Sequence, residues 1–355
     1  MDGFAASRRL ITMLGDGLRW LTAAKRRAWA ACDELLRSFL MVFVLQPVAI
    51  LLPRKSALGI ARICGSVMLR VPPSGPSALK TMQKALLMEE AAARTAASEY
   101  LAQPFYSFVV FHRVLHGREN PNNWTIEERK SEAVAQLRES GRPFIVATGH
   151  FRRESFLALH MPRFSPGNVA TVLVEVPARS LRPQKIRLRI QFGQLLRALR
   201  HSRPDEKFVY VGGAFEKLLA HLKQPRGQVI ISIDAFWKTT GSSAHTRSFA
   251  GMRARPFSIG AAALSRLTQC PIVACASYVG KDETIVLEWG PVIPPPKRED
   301  EAADFRTTNA MLDFIEDSIG QRPTQYVLYI GDQRRRSPDL QGWENTGGNG
   351  DQLSD

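Results

Sequence analysis

The chain has 355 residues, 45% of them hydrophobic and 23% charged, an ordinary balance for a protein that buries a core. That balance excludes a wholly disordered chain, a collagen-like repeat and a polytopic membrane protein. The 48 Lys and Arg against 33 Asp and Glu give a formal charge of +15, so the expected partners are anionic: nucleic acid, acidic headgroups or an acidic protein.

Residues 1–37 are basic and helix-prone, with Arg8, Arg9, Arg19, Lys25, Arg26, Arg27 and Arg37 against Asp2, Asp16, Asp33 and Glu34. An uncharged run, Ser38 to Pro53, follows and is broken by Pro47. It is shorter than the ~20 residues of a spanning helix. It also starts too late, and lacks the small-residue cleavage site, for a signal peptide. It reads either as a buried core helix or as a helix or hairpin lying in one leaflet, with the basic stretch on anionic headgroups. The second is the expectation, with the N-terminus cytoplasmic.

Residues 56–117 read as mostly helical, interrupted at Val71–Pro76, with Ser77 as a candidate cap for the next helix. A loop at Gly117–Asn123 precedes a helix expected over Ile126–Glu139. Beyond it, β-branched runs predict strands at Pro143–Thr148, Val169–Val176, Phe208–Val211, Val229–Ile233, Pro271–Tyr278 and Thr284–Leu287. Helices are predicted between and after them at Glu154–Met161, Lys185–His201, Ala214–Leu222, Phe257–Leu267 and Ala303–Gly320. Continuous apolar strands alternating with helices indicate an α/β fold, a central mostly parallel sheet flanked by helices. The division expected is an N-terminal membrane-associating region (1–60), an α/β domain (61–333) and a polar, Gly/Asn-rich disordered tail (334–355).

Cys32, Cys64, Cys270 and Cys275 are too few and too scattered for a disulfide scaffold and read as reduced thiols of a cytosolic environment. No His/Cys pair has zinc-ligand spacing, so no metal is expected.

The stretch richest in chemistry is PFIVATGHFRRESF, residues 143–156. An apolar strand ends at Gly149 and His150 follows, which puts an imidazole at the carboxyl edge of the sheet, where open α/β folds bind ligands. Glu154, four residues on, is a candidate partner for the ring; a carboxylate there fixes the tautomer and stabilises the cation formed when the other nitrogen takes a proton. The bland reading is a His in a turn beside a surface Glu, and spacing alone favours it. Residues 179–203 are a basic amphipathic helix whose Leu188, Phe192, Leu195, Leu196 and Leu199 share one face. Its cations are either solvated or contacts for a phosphorylated lipid or an acidic protein.

From about Leu35 to Gly331 the sequence resembles the bacterial lipid A biosynthesis acyltransferases, the late acyltransferases acting on Kdo-lipid A precursors. The TGHF segment is similar to that family's His-Phe box. Gly227–Asp234 is similar to its strand ending in Asp. Phe249-Ala-Gly251, with Pro256, Gly260, Ala263-Leu264, Thr268 and Pro271-Ile-Val, is similar to its "FFG" segment, and Pro323-Thr-Gln325-Tyr326 to its "PeQW" signature. The family box has four residues between His and the acid. Here three separate His150 from Glu154, and Ser155 stands at the expected acidic position. Arg152 and Arg153 replace the usual intervening residues, and the family's His-Arg-Arg ending is absent. Either Glu154 fills the role through an adjusted turn, or Ser155 leaves His150 unassisted, or the acceptor differs; the first is the expectation.

The resemblance implies a glycerolipid acyltransferase-like fold at the cytoplasmic face of the inner membrane. It implies a single-displacement transfer from an acyl-carrier-protein thioester to a hydroxyl of a lipid A precursor or related glycolipid. His150 would be the base and a nearby donor, an Arg, would hold the oxyanion. No cofactor is needed. Arg152, Arg153, Arg189, Arg253 and Arg255 become candidate substrate contacts, Arg189 through its likeness to the family's "R…G" segment. Asp234 reads as a turn residue or one that supports the catalytic groups from behind. The alternative is a non-catalytic lipid-binding member of the same fold. Nucleic-acid binding is prompted by charge alone, since no zinc-finger, helix-turn-helix or RNA-binding signature is present.

Overall fold

A computed structural model describes residues 22–25, 27–85, 87–151, 157, 168–173, 183–202, 207–210, 213–234, 244–250 and 252–326. The chain begins there with α1 (Thr22–Leu51), α2 (Arg54–Met68), α3 (Ser74–Ala85) and α4 (Glu90–Leu115). A sheet domain follows: β1 (Ile126–Arg129), α5 (Glu132–Glu139), β2 (Phe144–Thr148), β3 (Asn168–Leu173), α6 (Pro183–Ser202), β4 (Lys207–Tyr210), α7 (Ala214–Leu222) and β5 (Gly227–Ser232). It closes with β6 (Ala244–Phe249), β7 (Met252–Ser258), α8 (Gly260–Thr268), β8 (Ile272–Val279), β9 (Ile285–Ile293) and α9 (Ala303–Gln321).

Seven strands form one sheet in the order β1-β9-β8-β2-β5-β3-β4. Every neighbouring pair is parallel except β8 and β9, which are antiparallel. The central strands explain their own composition. All five residues of β2 (FIVAT) and all eight of β8 (IVACASYV) are buried. Helices flank the sheet, so neither face of these strands meets water and the runs are mainly apolar rather than alternating, with Thr148 and Ser277 buried among them. The α/β architecture with a largely parallel sheet is thus present. β6 and β7 pair apart from it as an antiparallel hairpin.

Four local expectations are corrected. The helix expected over Ile126–Glu139 is strand β1 followed by α5. Ile126 and Glu128 face inward while Glu127 and Arg129 are exposed, a two-residue period, and Ser131 Oγ caps α5 by accepting from Val134 N at 3.4 Å. α3 begins at Ser74 rather than beyond a Ser77 cap, because Ser74 is buried with its hydroxyl donating to Asp33 at 2.7 Å. The hairpin β6–β7 takes Phe257 and Ser258 from the helix expected there, and Phe257 packs edge-on to Phe249 at 5.2 Å. β9 runs to Ile293, well past Leu287, because its antiparallel pairing with β8 continues there. The helix expected over Glu154–Met161 and the tail expected over 334–355 lie outside the described residues, apart from the buried Leu157.

The N-terminal helices are held by α4, a 26-residue helix with Pro104 in its interior and buried residues on all sides. α2 crosses it closely at Gly65, where a Cβ would stand 2.6 Å from Ala102 Cβ and 2.7 Å from Ser98 O. α1 widens into a π-helical stretch over Leu40–Leu45 just before Pro47, the residue that can offer no N–H to the preceding turn. One stripe of α1 is packed inward (Asp33, Arg37, Met41, Leu45, Ala49). Leu35, Phe39, Phe43 and Leu51 are exposed.

Candidate functional site

β2 and β5 are adjacent and in register, with Thr148 opposite Ser232. The register runs on past both ends: Ile233 N donates to Thr148 O at 2.9 Å. Two residues beyond these ends, His150 and Asp234 meet. The backbone N–H of His150 donates to Asp234 Oδ2 at 2.8 Å, and ring Nδ1 lies 2.5 Å from Asp234 Oδ1. One carboxylate therefore grips both the main chain and the ring of one residue, leaving the imidazole little rotational freedom.

The Asp234 side chain has no solvent exposure, whereas that of His150 keeps 22%. Burial by itself raises the carboxyl pKa, yet the net direction is down, because the His150 ring, its two hydrogen bonds and a hydrogen bond from the Tyr326 hydroxyl favour the anion. An ionised Asp234 requires Nδ1 to carry the hydrogen. Nε2 is then the nitrogen that accepts a proton.

Gly149 explains itself in this setting. A Cβ there would come 2.8 Å from Ile315 Cγ2, 3.2 Å from Phe151 and 3.3 Å from Asp234 Oδ2, so a side chain would press on the carboxylate directly. Behind the pair stands an aromatic wall. Tyr326 is edge-on to Phe151 (5.9 Å) and to Phe249 (6.3 Å), and all three rings are buried. Tyr326 also forms an antiparallel bridge with Phe151. The β6–β7 hairpin that brings Phe249 is tied to α9: Ala250 N donates to Glu316 Oε1 at 2.5 Å, and Arg247 bonds Glu316 at 2.7 Å and Asp313 at 2.6 Å.

Two cavities open at this edge of the sheet. One, of about 170 Å³, is apolar and lies between β3, β5, α7 and α8, lined by Val172, Phe215, Leu218, Ile231, Ile233 and Leu264 among others. Ile233 directly precedes Asp234, so this cavity reaches the same strand end as the dyad. The other, of about 620 Å³, is polar and lies around β1, the β8–β9 turn and residues 322–325. Two of its cations are already engaged: Arg129 with Glu127 (2.6 Å), and Arg322 with Glu288 (3.1 Å) and over the Tyr278 ring. The larger cavity thus lies on the β8 side of His150, over β1, β9 and β8, and His150 is not among its lining residues.

The structure brings together His150 and Asp234 from the expected set. The carboxylate on ring Nδ1 comes from 84 residues along the chain. Arg152, Arg153 and Glu154 lie outside the described residues, and Arg253 and Arg255 are described in their backbone only, on β7. Arg189 is half-buried on α6, the helix packed against α4. Tyr326 was visible only as the last letter of a short motif; no sequence signal tied it to Asp234.

The four cysteines are free, and Cys64, Cys270 and Cys275 are buried. Burial pushes the Cys64 thiol up to about 11, and Cys275 well above its ordinary value; thiols so shifted are inert. Among the described residues no cluster of three or more His, Cys, Asp or Glu could hold a metal. The class defined by fold and site is an α/β protein with an Asp-oriented histidine at the carboxyl edge of its sheet. Compared with protein-family models and with curated proteins, the chain matches none.

Proposed function

We propose that this chain is an acyltransferase of the cytoplasmic membrane surface. It moves a fatty acyl group from an acyl-carrier-protein thioester to a hydroxyl of a lipid A precursor or related glycolipid. The observation that carries the reading is the His150–Asp234 pair: a partly exposed imidazole, at the ligand-binding edge of a parallel sheet, whose Nδ1 is held by a buried ionised carboxylate. Nε2 takes the proton of the acceptor hydroxyl as the oxygen attacks the thioester carbonyl. The imidazolium formed is stabilised by Asp234 and then returns its proton to the departing thiolate. An arginine supplies oxyanion stabilisation, with Arg152, Arg153 and Arg189 as candidates.

Two further features support a lipid substrate. The cavity beside Asp234 is apolar and, at about 170 Å³, comparable to cavities that admit a small hydrocarbon. α1, by length and composition, is apolar enough to cross a membrane, yet it turns Asp33 and Arg37 into the protein and Phe39 and Phe43 outward. That arrangement suits a helix lying along the protein with one flank in lipid.

The test is acyl transfer from acyl-carrier protein to a glycolipid acceptor in mixed micelles, read by mass spectrometry. Wild-type protein yields acylated product. His150→Ala and Asp234→Asn each lower the rate by roughly 10²–10⁴ in variants that circular dichroism shows to be folded. Lipid binding without transfer by the wild type would instead identify a non-catalytic member of the same fold.

A further inference from the structure

We infer that Tyr326 is a positioning residue: its hydroxyl, delivered by a C-terminal clasp, holds Asp234 in the orientation that presents the His150 imidazole. This inference rests on reading His150 as the base.

The clasp is built from sequence-distant parts. α9 ends at Gln321, and Pro323–Gln325 form a single 3₁₀ turn. Gln325 locks that turn to the end of β8 with a two-way bond: Val279 N donates to its Oε1 at 2.7 Å, and its Nε2 donates to Val279 O at 2.8 Å. Behind it, Gln103 of α4 reaches Thr324 O at 3.5 Å. Tyr326, the next residue, is thereby carried into the core with no exposure. Its backbone bridges Phe151, the residue after His150. Its ring is wedged between Phe151 and Phe249, and its hydroxyl bonds Asp234.

The chemistry of the carboxylate gives this bond a role beyond packing. Asp234 is an anion whose side chain has no solvent exposure, so its charge must be met by donors inside the protein. His150 supplies two, from ring and backbone, and Tyr326 supplies another. Three donors on one buried carboxylate fix its plane, and the carboxylate fixes the ring. They also spread its charge. With one donor fewer, Asp234 pulls harder on Nδ1–H and stabilises the imidazolium more, so the histidine binds its proton more tightly.

The experiment is a pH titration of histidines carrying ¹³C at Cε1, on the full chain in detergent, in wild type, Tyr326→Phe and Tyr326→Leu. His150→Ala identifies the resonance. The Phe variant keeps the ring and removes only the hydroxyl. In it, the His150 midpoint moves up by about half a pH unit or more, while the His112 and His221 signals stay in place. The acid limb of the acyl-transfer rate moves up with it, at unchanged KM. Tyr326→Leu, which also opens the aromatic wall, moves the midpoint at least as far. An unmoved His150 midpoint in a folded Tyr326→Phe protein overturns the inference and makes Tyr326 a packing residue. A moved midpoint in a protein whose wild type transfers no acyl group leaves the clasp standing and defeats the functional reading instead.

Discussion

His150 and Asp234 are a division of labour between exposure and burial. On the proposed reading the imidazole meets substrate, and part of it stays in contact with solvent. The carboxylate must stay charged and still, so it is sealed and given several donors. Gly149 is the residue on which this geometry is most finely balanced. The Cβ of an alanine would fall 2.8 Å from the Ile315 methyl and 3.3 Å from Asp234 Oδ2. Overpacking of this kind costs about 1–3 kcal/mol, and one of the atoms that must move orients the base. Gly149→Ala is therefore expected to lose that much stability in urea unfolding. Its transfer rate is expected to fall more than tenfold, because relief of the clash displaces the carboxylate. A variant with full activity would mean that the Ile315 side chain alone gives way.

At the scale of elements, buried polar pairs decide how the helices are fastened. α8 and α9 are joined by Arg266, which bonds both oxygens of Asp304 (3.1–3.3 Å) and the Arg298 carbonyl at 2.8 Å. Asp304→Ala leaves that guanidinium buried without its main partner. The expected loss is about 3 kcal/mol in chemical denaturation, toward the low end because Glu301 stands 3.8 Å away. The α4–α6 contact responds to pH. His112 is buried beside Gln194, whose amide lies 3.0 Å from Nδ1, and stacks on Phe108. Burial first, then the neighbouring His116 and the Arg197 charge, press its pKa down to about 4. The unfolded chain takes that proton near pH 6.5 and the folded one only near 4. Stability present at neutral pH is thus lost as the pH falls from about 6.5 toward 4, on the order of 2–3 kcal/mol. Melting curves between pH 7.5 and 4.5 are expected to fall more steeply for wild type than for His112→Gln. Equal slopes would place the acid sensitivity elsewhere.

For the molecule as a whole, charge and apolar surface combine. The net charge is +15, which on the proposed reading draws the chain to an anionic surface, while Phe43 and Leu51 of α1 and Ile63 of α2 are each more than 60% exposed. Exposed apolar residues on neighbouring helices are costly in water and favourable in a headgroup layer. Wild-type protein is expected to float with vesicles containing anionic lipid, less so as salt rises. Phe39→Asp with Phe43→Asp is expected to cut vesicle binding at least tenfold, since each ring gains ~1.5–3 kcal/mol on full burial. Binding that is abolished by salt but indifferent to these substitutions would make the association purely electrostatic.

What the sequence determined unaided was local. Near-continuous apolar runs marked β2, β5 and β8, because strands covered on both faces are mainly apolar instead of alternating. The stretches between and after those runs marked α7 to the residue and α6 and α9 nearly so. The TGHF turn marked His150 at a strand end. The partner of His150 was decided only by tertiary structure. β5 lies beside β2 although β3, α6, β4 and α7 intervene in the chain, so Asp234 is brought to the ring, whereas along the sequence the nearest carboxylate is Glu154. The same cause hid β1, whose four residues become a strand because the edge of β9 pairs with them. It hid Tyr326 as well, which reaches Asp234 only because α9 returns the chain to the site. Periodicity reports how a segment meets its surroundings, and it carries no information on which segment those surroundings are.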